Sequence, residues 1–342
     1  MITRSSSAAD EAWRARVRHF LERSRLADID APLVPLTGDA SNRRYVRVIP
    51  RERRSFVLAI YSESFEYETL PFIMVASLLD QMRIPVPAVL EHAADLGVLA
   101  VEDLGDVTLQ AHLGTGSAAD HLALYREAVD VLGVLQRKGR ELAAPSIAPF
   151  TLAFDVDKLL WELLFFVEHF LEGYRGVSLE PETRARLVEE FERLVGPLAA
   201  EPRVLCHRDY HSRNLMVHAG RLFVIDFQDA RMGPAAYDLV SLLRDSYADL
   251  PEPTIEELVE RFLSRAPDPP RPDEFRRRFD AMALQRNLKA LGTFGYQTSV
   301  HRNPVYIQYI PRTLHYVRVT FERNHRFDVL RRVLAPLLPE LG

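Results

Sequence analysis

Lysine is nearly absent from this chain. Lys138, Lys158 and Lys289 are the only three among 43 basic residues, which leaves forty arginines. Cysteine is scarcer still: a lone Cys206 excludes an internal disulfide and a cysteine-built zinc site. It ends the apolar run Val204-Leu205, so it reads as a small buried side chain and not as a thiol nucleophile. Long hydrophobic runs are missing as well. The most apolar stretch, Leu159 to Leu171, is broken by Glu162, Glu168 and His169 and is too short to span a bilayer. Polar residues from Met1 to Ser7 lead into a helical pattern without the apolar core of a signal peptide, so a cytoplasmic location is expected. No Walker-type phosphate loop occurs, and Gly114 and Gly116 form no dinucleotide fingerprint because no strand precedes them. A net charge of −5 lacks the basic excess of a nucleic-acid binder. These absences point to a soluble protein with a small-molecule substrate and neither a nucleic-acid nor a membrane partner.

What is present is an ordinary globular composition, 47% hydrophobic and 27% charged over 342 residues, enough for one large or two medium domains. Trp13, Val17, Phe20 and Leu21 recur at helical spacing within 10–25. Val34 to Leu36, Arg44 to Ile49 and Ser55 to Tyr61 read as three short strands of an antiparallel meander. A helix is predicted over Tyr67 to Met82, then two strands around Val89 and over Val98 to Val101. After Glu102-Asp103-Leu104-Gly105 the pattern turns helical, with candidates at His121 to Lys138, Val156 to Leu171 and Glu182 to Leu198. The shift places a hinge near residue 104 and divides the chain into lobes 1–104 and 105–342. The fold class expected is α+β and bilobal, a small antiparallel sheet beside a larger helical lobe.

The chemistry concentrates in His207-Arg208-Asp209-Tyr210-His211-Ser212-Arg213-Asn214. Phosphoryl transfer needs a carboxylate that orients and deprotonates the attacking hydroxyl, and oxygen ligands that hold magnesium against nucleotide phosphates. Asp209 lies five residues before Asn214, so one extended loop presents a base and a metal-facing amide to the same cleft. The apolar runs Leu215 to Val217 and Leu222 to Ile225 flank His218-Ala219-Gly220-Arg221 as a hairpin, whose return delivers Asp226 as a second magnesium ligand. Turn and cap roles explain these residues one by one but not their order along the chain. Arg213 reads either as a surface ion-pair residue or as a cation offsetting charge on the transferring group.

His207 to Asn214 resembles the catalytic loop of the protein-kinase-like superfamily, and Asp226-Phe227-Gln228-Asp229 its magnesium motif with the usual glycine replaced. Gly233-Pro234-Ala235-Ala236-Tyr237-Asp238-Leu239 is similar to the following segment of aminoglycoside phosphotransferase and choline-kinase-like enzymes. Together with Gly38-Asp39-Ala40-Ser41-Asn42-Arg43-Arg44-Tyr45, Gln285 to Gly292 and Pro311-Arg312, these segments resemble the bacterial anomeric kinases of N-acetylmuramate and N-acetylglucosamine. The resemblance runs from about residue 36 to about residue 320. It implies ATP and magnesium as cofactors, Asp209 as the base at an anomeric hydroxyl, Asn214 and Asp226 on magnesium, and a sugar 1-phosphate product in cell-wall recycling. It also implies that Asp238 braces the loop, although a plain helix N-terminal carboxylate remains the other reading. Another small-molecule kinase, for aminoglycosides or amino alcohols, and a silent nucleotide-binding pseudokinase are the alternatives.

The first lobe departs from the protein-kinase pattern. No lysine precedes Lys138, so a strand lysine cannot grip the phosphates. Arg43 is the expected substitute because guanidinium binds phosphate as a fork; Arg47 shares its strand face. Ser41 and Asn42 read as phosphate contacts or as plain turn formers, and Glu68 as the partnering helix acid. Glu102 and Leu104 sit where backbone groups between lobes meet the nucleotide base, with Asp103 shaping the hinge. Arg286 and Lys289, three apart on one helix face, read as an exposed basic face or as partners of a substrate carboxylate.

Overall fold

Helix α1 (Thr3–Arg23) opens the computed structural model, which describes residues 3–36, 43–145, 147–266 and 269–342. Its stripe Trp13, Val17, Phe20 and Leu21 is buried against Val46, Val48, Phe56, Leu58 and Val98 of the sheet. Arg16 fastens the helix by donating to the carbonyls of Leu96, Tyr61 and Gly97 at 2.6, 2.7 and 3.1 Å. The sheet comprises β1 (Leu33–Leu36), β2 (Arg44–Val48), β3 (Phe56–Ile60), β4 (Val89–Ala93) and β5 (Val98–Glu102), antiparallel in the order β1-β2-β3-β5-β4. Val46 pairs with Leu58 and Leu58 with Ala100, one buried row under α1. Two-residue alternation sends Tyr45, Ala59 and Leu99 to the opposite face.

Helix α2 (Pro71–Gln81) begins four residues later than its sequence pattern suggests. Proline at its first position sets the start, since the fixed φ suits a first turn and the missing N–H is not needed there. Tyr67 lies in the preceding turn and stacks on His92 at 3.9 Å. Glu68 is exposed in that same turn and so is not the helix acid expected of it.

Beyond β5 come α3 (Leu109–His112) and α4 (Ala118–Glu141), the latter started by a capping box between Ser117 and Asp120. Helix α5 (Val156–Phe166) rewinds into a π-helical segment over Val167–Tyr174, so the single run expected to Leu171 is longer and changes pitch. Then follow α6 (Pro181–Ala199), β6 (Arg203–Cys206), β7 (Leu215–His218), β8 (Arg221–Val224), β9 (Arg231–Pro234), α7 (Ala236–Leu243), α8 (Glu252–Arg265), α9 (Pro272–Ser299), α10 (Ile310–Arg323) and α11 (Asp328–Leu334). Strands β7 and β8 form the expected hairpin; Ala219 and Gly220, at φ 49° and 73°, make the left-handed turn that such hairpins prefer. Strand β9, which pairs with β6, carries no alternating pattern and was not anticipated. Cys206 is fully buried there, and burial pushes its thiol well up, as expected of a structural cysteine.

The helical lobe closes on α9, which lies so near α5 and its π-helical continuation that glycine is required at two positions. A Cβ at Gly292 would stand 2.8 Å from the Phe166 Cα, and one at Gly295 would run into the His169 carbonyl. By contrast, a Cβ at Gly196 in α6 meets open space. Gly295→Ala is therefore expected to cost about 1–3 kcal/mol through forced separation of two helices, whereas Gly196→Ala gains about 0.5–1 kcal/mol from helix propensity. Thermal unfolding checks this pair: the two midpoints should move in opposite directions.

Candidate active site

Strand β6 hands the chain directly to His207, and the buried Asp238 of α7 catches it there. Its carboxylate accepts the backbone N–H groups of His207 at 2.6 Å and Arg208 at 3.0 Å, so the bracing reading of Asp238 is the one the geometry displays. Burial raises the Asp238 carboxyl, against the pull of His207 and of these two N–H bonds. The His207 ring lies 2.9 Å from the Ile225 carbonyl through Nε2 and accepts the Asp209 N–H on Nδ1 at 3.3 Å, which places its proton on Nε2. Arg208 sits at φ 86°, a left-handed backbone that a non-glycine residue keeps only under constraint. These bonds supply that constraint, and the bend brings Asp209 to the cleft.

The far end of the loop is held by Asp245, just past α7. It accepts from the Ser212 N–H at 2.9 Å, the Ser212 hydroxyl at 2.5 Å and the Tyr247 N–H at 2.8 Å. Burial nevertheless pushes its carboxyl up to about 6. Tyr210 anchors the middle through its hydroxyl to the Ala128 carbonyl at 2.9 Å.

Asp209 is surrounded by cations. Lys289 Nζ lies 3.2 Å and Arg286 Nη1 3.9 Å from its Oδ1, and Arg208 Nε lies 3.7 Å from its Oδ2. Burial alone would raise this carboxyl, but Lys289, Arg208 and Arg286 together hold it well below the usual carboxylate range. Arg286 also donates to the Tyr237 hydroxyl at 2.8 Å. Neither α9 cation forms an exposed basic face: Arg286 is only 9% exposed, between the Tyr237 hydroxyl and Asp209. His211 lines the same cavity of about 110 Å³ with Tyr247, Arg286, Lys289 and Thr293. Burial lowers its imidazole to about 3, so the ring is neutral.

Across the cleft, Asn214 donates its amide hydrogen to the Asp209 carbonyl at 2.9 Å, and the same nitrogen stands 3.5 Å from Asp226 Oδ2. The amide carbonyl is the end left for a metal. Asp226 follows β8 at φ 62°, its side chain 46% exposed, and accepts from Gln228 at 2.7 Å. Two oxygen donors at an open cleft suit magnesium, which keeps waters and phosphate oxygens in its remaining positions. No cluster of three acidic, histidine or cysteine ligands occurs among the described residues, so a cage for a softer metal is not built there. Arg43, 14% exposed, reaches Asp226 at 3.7 Å and lies over Tyr45 and Tyr61. Arg47 is instead bound to Asp103 at 2.7 Å and Asp106 at 2.9 Å, which fixes the hinge.

Ser41 and Asn42 lie outside the described residues. Glu102 ends β5, where its N–H meets the Ala88 carbonyl at 2.8 Å and its carboxylate the Ala88 N–H at 3.2 Å. The Leu104 carbonyl lies 3.1 Å from His218 Nδ1. Arg213 stacks its guanidinium over Tyr247 at 4.8 Å, a residue of the cavity wall.

The family model described as the phosphotransferase enzyme family matches residues 32–275. The chain belongs to that family. This phosphotransferase is 35% identical over 315 residues to the N-acetylmuramate/N-acetylglucosamine kinase of Neisseria meningitidis serogroup B, covering 90% of this chain and 91% of the relative. It is 33% identical over 312 residues to the kinase of the same name from Pseudomonas aeruginosa, covering 90% and 89%. A solved choline/ethanolamine kinase family protein from Mesorhizobium loti shares the fold, with a TM-score of 0.61 at 18% identity over 98% of this chain and 99% of that one. The bilobal protein-kinase-like architecture is thus that of the phosphotransferase, as its sequence implied.

Asp245 makes loop stability pH-dependent. Its folded pKa of about 6 exceeds the value of about 3.9 in an unfolded chain. The folded form therefore holds the proton more tightly, and the stabilisation present below the unfolded pKa is lost as pH rises to about 6. In urea unfolding across this range, wild type should lose stability relative to Asp245→Asn; a gain would show the opposite sign of shift.

Proposed function

We propose that this phosphotransferase moves the γ-phosphoryl group of ATP to the anomeric hydroxyl of N-acetylmuramate or N-acetylglucosamine, giving the sugar 1-phosphate. We place the reaction in cytoplasmic cell-wall sugar recycling, with lobes 1–104 and 105–342 enclosing the cleft. The observation that carries this reading is the cation-held Asp209 at a cavity walled by Arg286 and Lys289. A polycationic aminoglycoside or a quaternary amine would meet those two cations with like charge, whereas an N-acetylated sugar brings none. The two relatives that match nearly the whole chain bear the corresponding name.

Asp209 accepts a hydrogen bond from the acceptor hydroxyl, fixes its direction of attack and takes its proton as the new P–O bond forms and ADP departs. So strongly held a carboxylate is a weak base. A hemiacetal hydroxyl is more acidic than an ordinary alcohol, and a loose phosphoryl-transfer transition state asks little proton abstraction, so the base and acceptor match. Magnesium, when bound, neutralises phosphate charge and aligns the transferring group. Asn214 Oδ1 and the Asp226 carboxylate would hold it. Arg43, aimed at Asp226 from the residue before β2, grips the phosphates in place of the missing lysine. Arg213, stacked on Tyr247, offsets charge at the rim of the cavity. At the hinge the Glu102 N–H and the Leu104 carbonyl already have partners. The Leu104 N–H, which no described residue engages, donates to the adenine ring.

An ADP-release screen with magnesium-ATP over both amino sugars, other hexoses, aminoglycosides and choline tests this. Turnover is expected on the N-acetylated amino sugars, with Asp209→Asn lowering kcat by about 10²-fold or more. Turnover on aminoglycosides alone overturns the sugar assignment.

A further inference from the structure

Trp161 is 52% exposed on α5, a costly place for the largest apolar side chain. It does not stand alone: its ring lies 5.4 Å from Phe165, which lies 5.4 Å from Tyr296 of α9, so three aromatic rings form a continuous half-open row. The three rings stand outside the small cavity at Asp209. Helices α5 and α9 run side by side, with Glu162 bonded to Gln285 at 2.9 Å and Phe166 against Gly292. Lys289 lies between Gln285 and Gly292, and Tyr296 follows it by seven residues, two turns along the same stripe. Lys158 sits 3.8 Å above the Trp161 ring and within electrostatic reach of Glu162, one turn further on, and of Arg208, Arg231 and Lys289. Among the described residues no carboxylate lies within ion-pairing distance of Lys158.

We propose that Trp161, Phe165 and Tyr296 form the platform on which the C–H face of the acceptor amino sugar lies, with Lys158 at its edge receiving a carboxylate substituent. This rests on the amino-sugar reading above and extends it to the residues that select the acceptor. A pyranose ring offers a flat face of C–H bonds that packs on an aromatic ring, and an N-acetyl methyl adds apolar surface to the same side. Stacking there leaves the anomeric hydroxyl for Asp209. A lactyl substituent, present on N-acetylmuramate and absent from N-acetylglucosamine, then gives Lys158 a partner that only one of the two sugars supplies.

The chain has two tryptophans, and Trp13 is 5% exposed while Trp161 is 52% exposed, so iodide quenching of the full-length protein reports on Trp161. Saturating N-acetylglucosamine or N-acetylmuramate, with ADP and magnesium, should protect that fluorescence. Trp161→Ala should raise KM for both sugars about tenfold with kcat and the KM for ATP little moved, and Trp161→Phe should recover most of that loss. Lys158→Met should raise KM for N-acetylmuramate several-fold more than for N-acetylglucosamine. If the sugars are turned over but quenching and the Trp161→Ala KM stay unchanged, the platform is wrong and the sugar assignment stands. If neither sugar is turned over and neither protects Trp161, both fall.

Discussion

Holding the Asp209 carboxylate ionised in a cleft where its side chain is only 23% exposed requires compensating charge, and three cations provide it. One, Arg208, comes from the loop itself. The other two ride on α9, some eighty positions further along the chain, and α9 packs tightly on α5 and its π-helical continuation. That packing is why Gly292 and Gly295 cannot carry a side chain. The electrostatics of Asp209, the close helix contact and the walls of the cavity beside it are therefore one arrangement. Asp238 and Asp245 complete it by fixing the two ends of the loop through backbone N–H groups.

The small lobe solves a different problem. Without lysine it uses arginine twice on one strand face, and the two arginines separate by partner: Arg47 locks the hinge acids Asp103 and Asp106, while Arg43 reaches the Asp226 carboxylate. A guanidinium can meet oxygen acceptors in a planar fork, a geometry an ammonium does not offer. Phe227, beside Asp226, packs on Phe72 of α2 with ring centroids 4.8 Å apart, so the small lobe touches the chain next to that carboxylate.

Much of this was legible in the sequence because the loop, the hairpin and Asp226 are contiguous. His207 to Asn214 is bounded by an apolar strand and a turn with a left-handed pair, and local rules suffice to read those. The small sheet was legible from its alternation. Helix α2 was misread by four residues although Pro71 marks its start, since the apolar pattern upstream belongs to Tyr67 stacking on His92. Strand β9 was missed because Arg231-Met232-Gly233-Pro234 has no period; it is a strand only through its pairing with β6. The burial of Arg286 and Lys289 was the largest loss. Spacing along a helix tells which residues share a face but not what that face meets, and their partner is distant in sequence.

The claim at the centre is that Lys289 acts through Asp209, as one unit that orients the attacking hydroxyl. A double-mutant cycle of Asp209→Asn and Lys289→Met, read in kcat/KM for the amino sugar, tests it most directly. Adding Lys289→Met to Asp209→Asn is expected to cost almost nothing further, because the group it serves is already gone. Losses that simply multiply would contradict it.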